Sequence, residues 1–248
     1  ILEKIKELNN EEEINKYFPD VKVMRMDNDT TQVKNAYQKI LSEFAETKPA
    51  VLVGTQMIAK GHDFKDVTIV GIVDADQSLY QSDYKSTERT FELITQMAGR
   101  AGRSDAEGKV VLQTYAPRHY AYKFIANYNY KGFYNKEINL RETAHFPPFT
   151  TIIRLLFTSE NDDLVRDILK KCHNKIFDLA NEYKDDFVYY DAMKSPVTRI
   201  KNKFRYQILI RLKKDREREI IDRIYDICDK NLNPKVSFFV EINPSSLS

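Results

Sequence analysis

The sequence predicts a two-part chain: an α/β unit with a parallel sheet and flanking helices, then a smaller α+β unit. Three observations predict it. Over residues 1–116 short apolar runs alternate with helix-periodic segments, the pattern of parallel strands joined by crossover helices. At His145-Phe146-Pro147-Pro148-Phe149 that pattern breaks, because proline ends regular structure. Beyond Thr150 four strand-like runs and two amphipathic helices follow in the order β-α-β-β-α-β, which suggests a ferredoxin-like domain.

The elements follow in order. Ile1, Leu2, Ile5 and Leu8 have helical spacing, Phe18-Pro19-Asp20 is a turn, and Val21 to Met26 is a short strand. Asp27 to Thr31 offers N-caps for a helix through about Phe44. Ala50 to Val53 and Val67 to Val73 read as buried parallel strands. The second ends in Asp74-Ala75-Asp76. Thr87 to Met97 reads as a helix and Gly108 to Tyr115 as a strand. Residues 117–145 are helix-like and aromatic-rich. Past the break, Ile152 to Thr158, Phe187 to Tyr190, Phe204 to Leu212 and Val236 to Ile242 are strands. The intervening helices, Asp162 to Tyr183 and Glu217 to Asn231, carry inward faces of Leu164, Ile168, Leu169, Cys172, Ile176 and Leu179, and of Ile220, Ile221, Ile224 and Cys228. The boundaries expected are 1–116, a helical connector over 117–149, and 150–248.

Composition narrows the function. Of 248 residues, 42% are hydrophobic and 31% charged, yet the net charge is only +2. Such a chain is no histone-like cation, so any nucleic-acid field must be local. Its two cysteines form no CxxC pair, which argues against a zinc site in this chain and suits a reducing cytosol. No apolar run reaches eighteen residues, so no membrane span is expected. The start, Ile1-Leu2-Glu3-Lys4, lacks both a signal-peptide form and Met. The expectation is a chain cut from something longer.

Two segments carry chemistry. Gln96-Met97-Ala98-Gly99-Arg100-Ala101-Gly102-Arg103 sets two guanidiniums three residues apart beside glycines at a helix end, an arrangement suited to a polyphosphate. An arginine delivered from a separate lobe can neutralise the charge that builds on a transferring phosphoryl group. The plainer reading is a glycine-capped helix end with solvated arginines. Upstream, Gly54-Thr55-Gln56-Met57-Ile58-Ala59-Lys60-Gly61-His62-Asp63-Phe64 leaves a strand as a polar loop. Thr55 offers a hydroxyl and N–H to a nucleic-acid phosphate. Gly61 permits close approach, and Asp63 could accept from a ribose hydroxyl or orient an arginine. Lys60 and His62 read equally as contacts or as solvated side chains. Asp74 and Asp76 suit a metal or acid–base role, or loop capping; a structural or coupling role is favoured. A GxxxxGK[ST] loop is absent, as is an Asp-Glu pair ending a preceding strand to hold magnesium. The chain therefore has only the arginine side of a triphosphate site and is not expected to hydrolyse ATP well alone.

The first-described segment resembles motif VI, and the upstream loop motif V, of superfamily 2 helicases. The fuller set, with Asp83-Tyr84-Lys85-Ser86-Thr87-Glu88-Arg89, Val111-Leu112-Gln113-Thr114, Phe146-Pro147-Pro148-Phe149 and Phe204-Arg205-Tyr206-Gln207, resembles the primosomal protein N′ family of replication-restart helicases. The resemblance implies a RecA-like second lobe within a 3′→5′ ATP-dependent DNA helicase acting at stalled forks. It implies ATP with Mg shared with another lobe, and zinc on cysteines lying before Ile1. Implied partners are forked and single-stranded DNA, single-stranded DNA-binding protein and other primosome proteins, in the bacterial cytoplasm at the nucleoid. By motif match Gly61, Asp63, Gln96, Arg100 and Arg103 would face ATP and Thr55 the DNA backbone. Two other readings stay open: a non-catalytic DNA- or protein-binding module with helicase-like loops, and a double-strand DNA translocase.

Independently of that resemblance, Arg199, Lys201, Lys203 and Arg205 alternate strictly. On one extended strand they would share a face as a basic rail for phosphates. The alternative is a solvated hairpin edge, where lysines discourage strand pairing.

Overall fold

A computed structural model of the chain describes residues 11–27, 36–55, 58, 66–81, 83–102, 108–244 and 246. The chain divides into two compact units. One comprises residues 1–81 and 86–130, the other 82–85 and 131–248.

In the first unit, helix α1 (Glu11–Tyr17) precedes β1 (Lys22–Met26), α2 (Ala36–Glu46) and β2 (Ala50–Gly54). β1 and β2 pair in parallel, with Met26 opposite Gly54. A second parallel pair joins β3 (Ile69–Ile72) to β4 (Lys109–Leu112). Between them lie a 3-10 turn at Ala75–Gln77 and helix α3 (Ser86–Ala98). Helix α4 (Tyr120–Ala126) follows β4. The single parallel sheet expected from the alternating pattern appears among the described residues as these two separate pairs. Ile72, Ala75, Ile94 and Tyr122 form the core beside β3, with Val70, Met97, Leu112 and Ile125 packed against them.

Gly54 is needed where it stands. A Cβ there would lie 2.0 Å from the Met26 carbonyl oxygen and 2.7 Å from Ile58 Cδ1. The end of β2 thus touches the end of β1 backbone to backbone, a contact only glycine permits.

In the second unit, helix α5 (Tyr130–Thr143) leads to β5 (Thr150–Ser159), α6 (Asp162–Glu182), β6 (Phe187–Ile200), β7 (Lys203–Lys213), α7 (Glu217–Asp229) and β8 (Ser237–Ile242). Tyr130 itself is grouped with the first unit. The helical stretch expected over 117–145 is broken at Tyr128, whose φ is 49°. The strands form one antiparallel sheet in the order β6-β7-β5-β8. Because side chains alternate across a pleated strand, one face of β5 and β7 carries Ile153, Leu155 and Phe157 with Tyr206, Ile208, Ile210 and Leu212. These pack against Val165, Ile168, Cys172, Ile176 and Leu179 of α6 and Ile220, Ile224 and Cys228 of α7. The periodicity of both helices anticipated this face, except that Val165 is fully buried while Leu164, Leu169 and Ile221 are only partly so. Asn161 caps α6 by accepting from the Leu164 N–H at 3.0 Å, as a good N-cap does.

A short segment just ahead of α3, residues 83–85, is built into this second unit. Tyr84 stacks on Phe146 with ring centroids 5.4 Å apart and planes 7° from parallel. The Arg141 guanidinium lies 5.2 Å from the Tyr84 ring. Arg211 lies 4.7 Å from Phe146 and 4.9 Å from Tyr189. Desolvation lowers the Arg211 pKa, and its Nη1 donates to the carbonyls of Ala144 and His145. Cation–π contacts of this kind strengthen as water is excluded. Two segments far apart in sequence, Asp83–Arg89 and Phe146–Phe149, are thereby connected by one stack.

Candidate nucleotide and nucleic-acid site

Helix α3 delivers the arginine segment. Its inward side is fixed by Phe91, Ile94 and Ala98, so Gln96 is exposed. The helix unwinds through short-range turns, Arg100 N–H to Met97 O and Ala101 N–H to Ala98 O. Gly102 then takes a left-handed φ of 73°, which favours glycine, and its N–H donates to Val67 O at 3.0 Å. Gly108 closes the arrangement: a Cβ there would fall 2.3 Å from Gly102 N and 2.5 Å from the Ala101 carbonyl carbon. Lys109 N–H donates to Thr68 O at 2.8 Å. The end of the arginine segment is thus bonded just ahead of β3 and packed just ahead of β4. Arg100, half-buried, sits on that held turn.

Thr55 is exposed immediately after β2, where its carbonyl accepts from Ile58 N–H at 3.1 Å. Lys60, Gly61, His62, Asp63 and Arg103 lie outside the described residues. The structure therefore shows Gln96 and Arg100 on one helix end and Thr55 at the carboxyl end of a strand.

Asp74 and Asp76 separate in role. Asp74, exposed with φ 50°, opens the 3-10 turn, and its N–H donates to Gln113 Oε1. Asp76 is buried, at 3% exposure. Its carboxylate accepts from Thr114 Oγ1 at 2.6 Å, Tyr115 N–H at 2.5 Å and the Tyr122 hydroxyl at 2.8 Å. Burial first, then the bond to Asp76, holds the Tyr122 pKa well above its ordinary value, so this phenol remains a donor. Asp76 ties the exit of β4 and helix α4 to the turn after β3. Asp76→Ala strands three donors, and a buried donor without an acceptor costs about 1–3 kcal/mol. Chemical denaturation is expected to show a loss of about 3 kcal/mol, with Asp76→Asn losing less.

The basic rail is corrected by the fold. Lys201 and Asn202 have φ of 47° and 63° and form a two-residue turn between β6 and β7, as paired left-handed residues do in hairpins. Arg199 pairs with Phe204 and Ile200 with Lys203. Directly opposed residues share a face, so Arg199 lies on the Phe204 face, Lys203 and Arg205 on the other, and Lys201 in the turn. Arg199 rests 4.8 Å from the Phe204 ring, and Arg205 Nη1 donates to Val197 O at 3.4 Å. The four cations cluster around a hairpin tip rather than lining one strand. The hairpin alternative left open by the sequence is the one observed; the position of its turn was unmarked because lysine is an uncommon occupant of left-handed φ.

Among the described residues no group of three or more His, Cys, Asp or Glu gathers as a metal site, and no helix is long and apolar enough to cross a membrane.

Comparison with known proteins follows the same division. Residues 1–105 match the helicase conserved C-terminal domain, and residues 142–245 match the primosomal protein N C-terminal domain. The replication restart protein PriA of Bacillus subtilis is 37% identical over 236 residues, covering 94% of this chain and 29% of its own length. That of Chlamydia pneumoniae is 34% identical, covering 92% and 30%. That of Haemophilus influenzae is 30% identical, covering 96% and 32%. The chain thus spans about three tenths of the length of these relatives. Two domain matches in succession, with relatives aligned across both, show that the chain belongs to the PriA family of replication restart proteins.

Proposed function

We propose that the first unit is the RecA-like second lobe, and the second a ferredoxin-like C-terminal domain, of an ATP-dependent 3′→5′ DNA helicase that restarts replication and assembles the primosome at stalled forks. The observation that carries this reading is the arginine turn held by Val67 and Gly108, which presents Arg100 from the same helix end as Gln96 and immediately before Arg103. A guanidinium and a carboxamide are donors suited to phosphoryl oxygens. ATP with Mg, gripped by the other lobe, would supply the phosphoryl group. Arg100 and Arg103 neutralise its charge, Gln96 donates to it, Gly61 permits its close approach, and Asp63 accepts from the ribose hydroxyl or orients an arginine. The order β-α-β-β-α-β with sheet order β6-β7-β5-β8 supports the ferredoxin-like assignment.

Thr55 and Lys60 contact the DNA backbone in this reading, with Arg199, Lys201, Lys203 and Arg205 contributing from the hairpin tip. Forked and single-stranded DNA, single-stranded DNA-binding protein and primosome proteins are the partners, in the cytoplasm at the nucleoid. Zinc belongs to cysteines outside this chain. The test is strand displacement on forked DNA by the complete polypeptide. ATP-dependent unwinding from the 3′ side is expected. Translocation on duplex without displacement would favour a double-strand translocase, and DNA binding without ATP turnover would favour a non-catalytic module.

A further inference from the structure

The stretch from Gly108 to Tyr130 has properties that neither the arginine site nor the core uses. It holds Lys109, Arg118 and Lys123 and no acidic residue, in a chain where 37 acids nearly balance 39 bases. It is also rich in tyrosine. One of these, Tyr122, does what a core tyrosine does and is buried at 6% exposure. Three others do not: Tyr115 is 74% exposed, Tyr128 72% and Tyr130 65%. Soluble proteins seldom concentrate exposed large rings without a use for them.

Their placement follows from one short helix. α4 is seven residues long, about 10 Å. Tyr115 and Arg118 precede its first turn, Tyr128 and Tyr130 follow its last, and Lys123 is exposed between them. Ala121 and Tyr122 face the core, which turns Lys123 outward. The backbones at both ends are fixed. Tyr115 N–H is bonded to buried Asp76. Tyr128 holds φ 49° while its N–H donates to Ile125 O, and Asn129 N–H donates to Phe124 O at 2.9 Å. Rigid backbones carrying outward rings lose little entropy on binding. Tyr115 also emerges at the carboxyl end of β4, the end at which open parallel sheets bind ligands.

We propose that this surface, Tyr115 and Tyr128 flanking Arg118 and Lys123, is a stacking platform for single-stranded DNA. Every base has a face to stack, so aromatic rings beside cations hold a strand without reading its sequence. The acid-free stretch favours a polyanion over a protein partner. The biological setting rests on the helicase reading, but the binding itself needs no ATP turnover.

The test uses the 248-residue chain and a fluorescein-labelled oligothymidylate, read by anisotropy across a salt series. Tyr115→Ala with Tyr128→Ala is expected to weaken binding by at least about tenfold, and Tyr115→Phe with Tyr128→Phe to stay near wild type. Arg118→Ala with Lys123→Ala is expected to flatten the salt slope by about 0.7 per lost contact. All four side chains are outward, so thermal melting should not move. No binding by the wild type, an unchanged affinity in the alanine pair, or equal weakening by alanine and phenylalanine would each overturn the proposal. An unchanged affinity would leave the tyrosines to a protein partner. Arg103→Ala leaves this surface intact, so a failure of the helicase reading shows up separately, in ATP turnover.

Discussion

Replacing Arg103 by alanine in the complete polypeptide is expected to lower ATP turnover by roughly 10³–10⁵-fold while leaving ATP binding largely intact, since an arginine finger acts on charge that develops in the transition state. Arg100→Ala is expected to act in the same direction, because Arg100 sits on the backbone-held turn two residues before Gly102. The measurement is steady-state ATP hydrolysis with saturating single-stranded DNA, beside nucleotide binding measured directly. Arg103→Lys is expected to recover little, because an ammonium lacks the planar fork of donors. Wild-type turnover in Arg103→Ala would remove the finger role.

The second large effect concerns Gly108, which lies outside both helicase-like segments. Alanine at this position would press a methyl group against Gly102 N at 2.3 Å and the Ala101 carbonyl carbon at 2.5 Å. Both are backbone atoms, so no rotamer change relieves the clash. Overpacking against a fixed backbone costs about 3 kcal/mol at the upper end of its range. Relief requires the turn to lift from Val67, which moves Arg100. Gly108→Ala is therefore expected to lower both unfolding stability and ATP turnover. A substitution that merely loosened the fold elsewhere would lower stability alone. Circular dichroism melts and ATPase assays on one preparation distinguish the two. Full stability with full turnover would show that the turn does not need the close approach.

Much of the fold was legible because its causes are local. The helical spacing of Ile168, Cys172, Ile176 and Leu179, and of Ile220, Ile224 and Cys228, gave both helices of the second unit and their inward faces. The apolar runs gave β2, β3 and β5. What stayed hidden depends on partners distant in sequence. Asp76 read only as half of an acidic pair, because its three donors come from residues 114, 115 and 122. The stack of Tyr84 on Phe146 joins residues 62 positions apart by number, and no periodicity announces it. At Arg199 to Arg205 the sequence left a rail and a hairpin edge both open, because strict alternation of cations mimics one strand and the turn at Lys201-Asn202 contains neither glycine nor proline. Within the candidate site, the phosphate-directed roles of Gln96 and Arg100 rest on residue type and motif spacing. Only the structure revealed that Val67 and Gly108 hold their turn.

The most direct measurement is a structure of the complete polypeptide with DNA and a transition-state mimic of ATP hydrolysis. The guanidiniums of Arg100 and Arg103 should reach hydrogen-bonding distance, about 3 Å, of the oxygens standing for the transferring phosphoryl group. Finding both turned away into ion pairs with carboxylates of their own lobe would contradict the account.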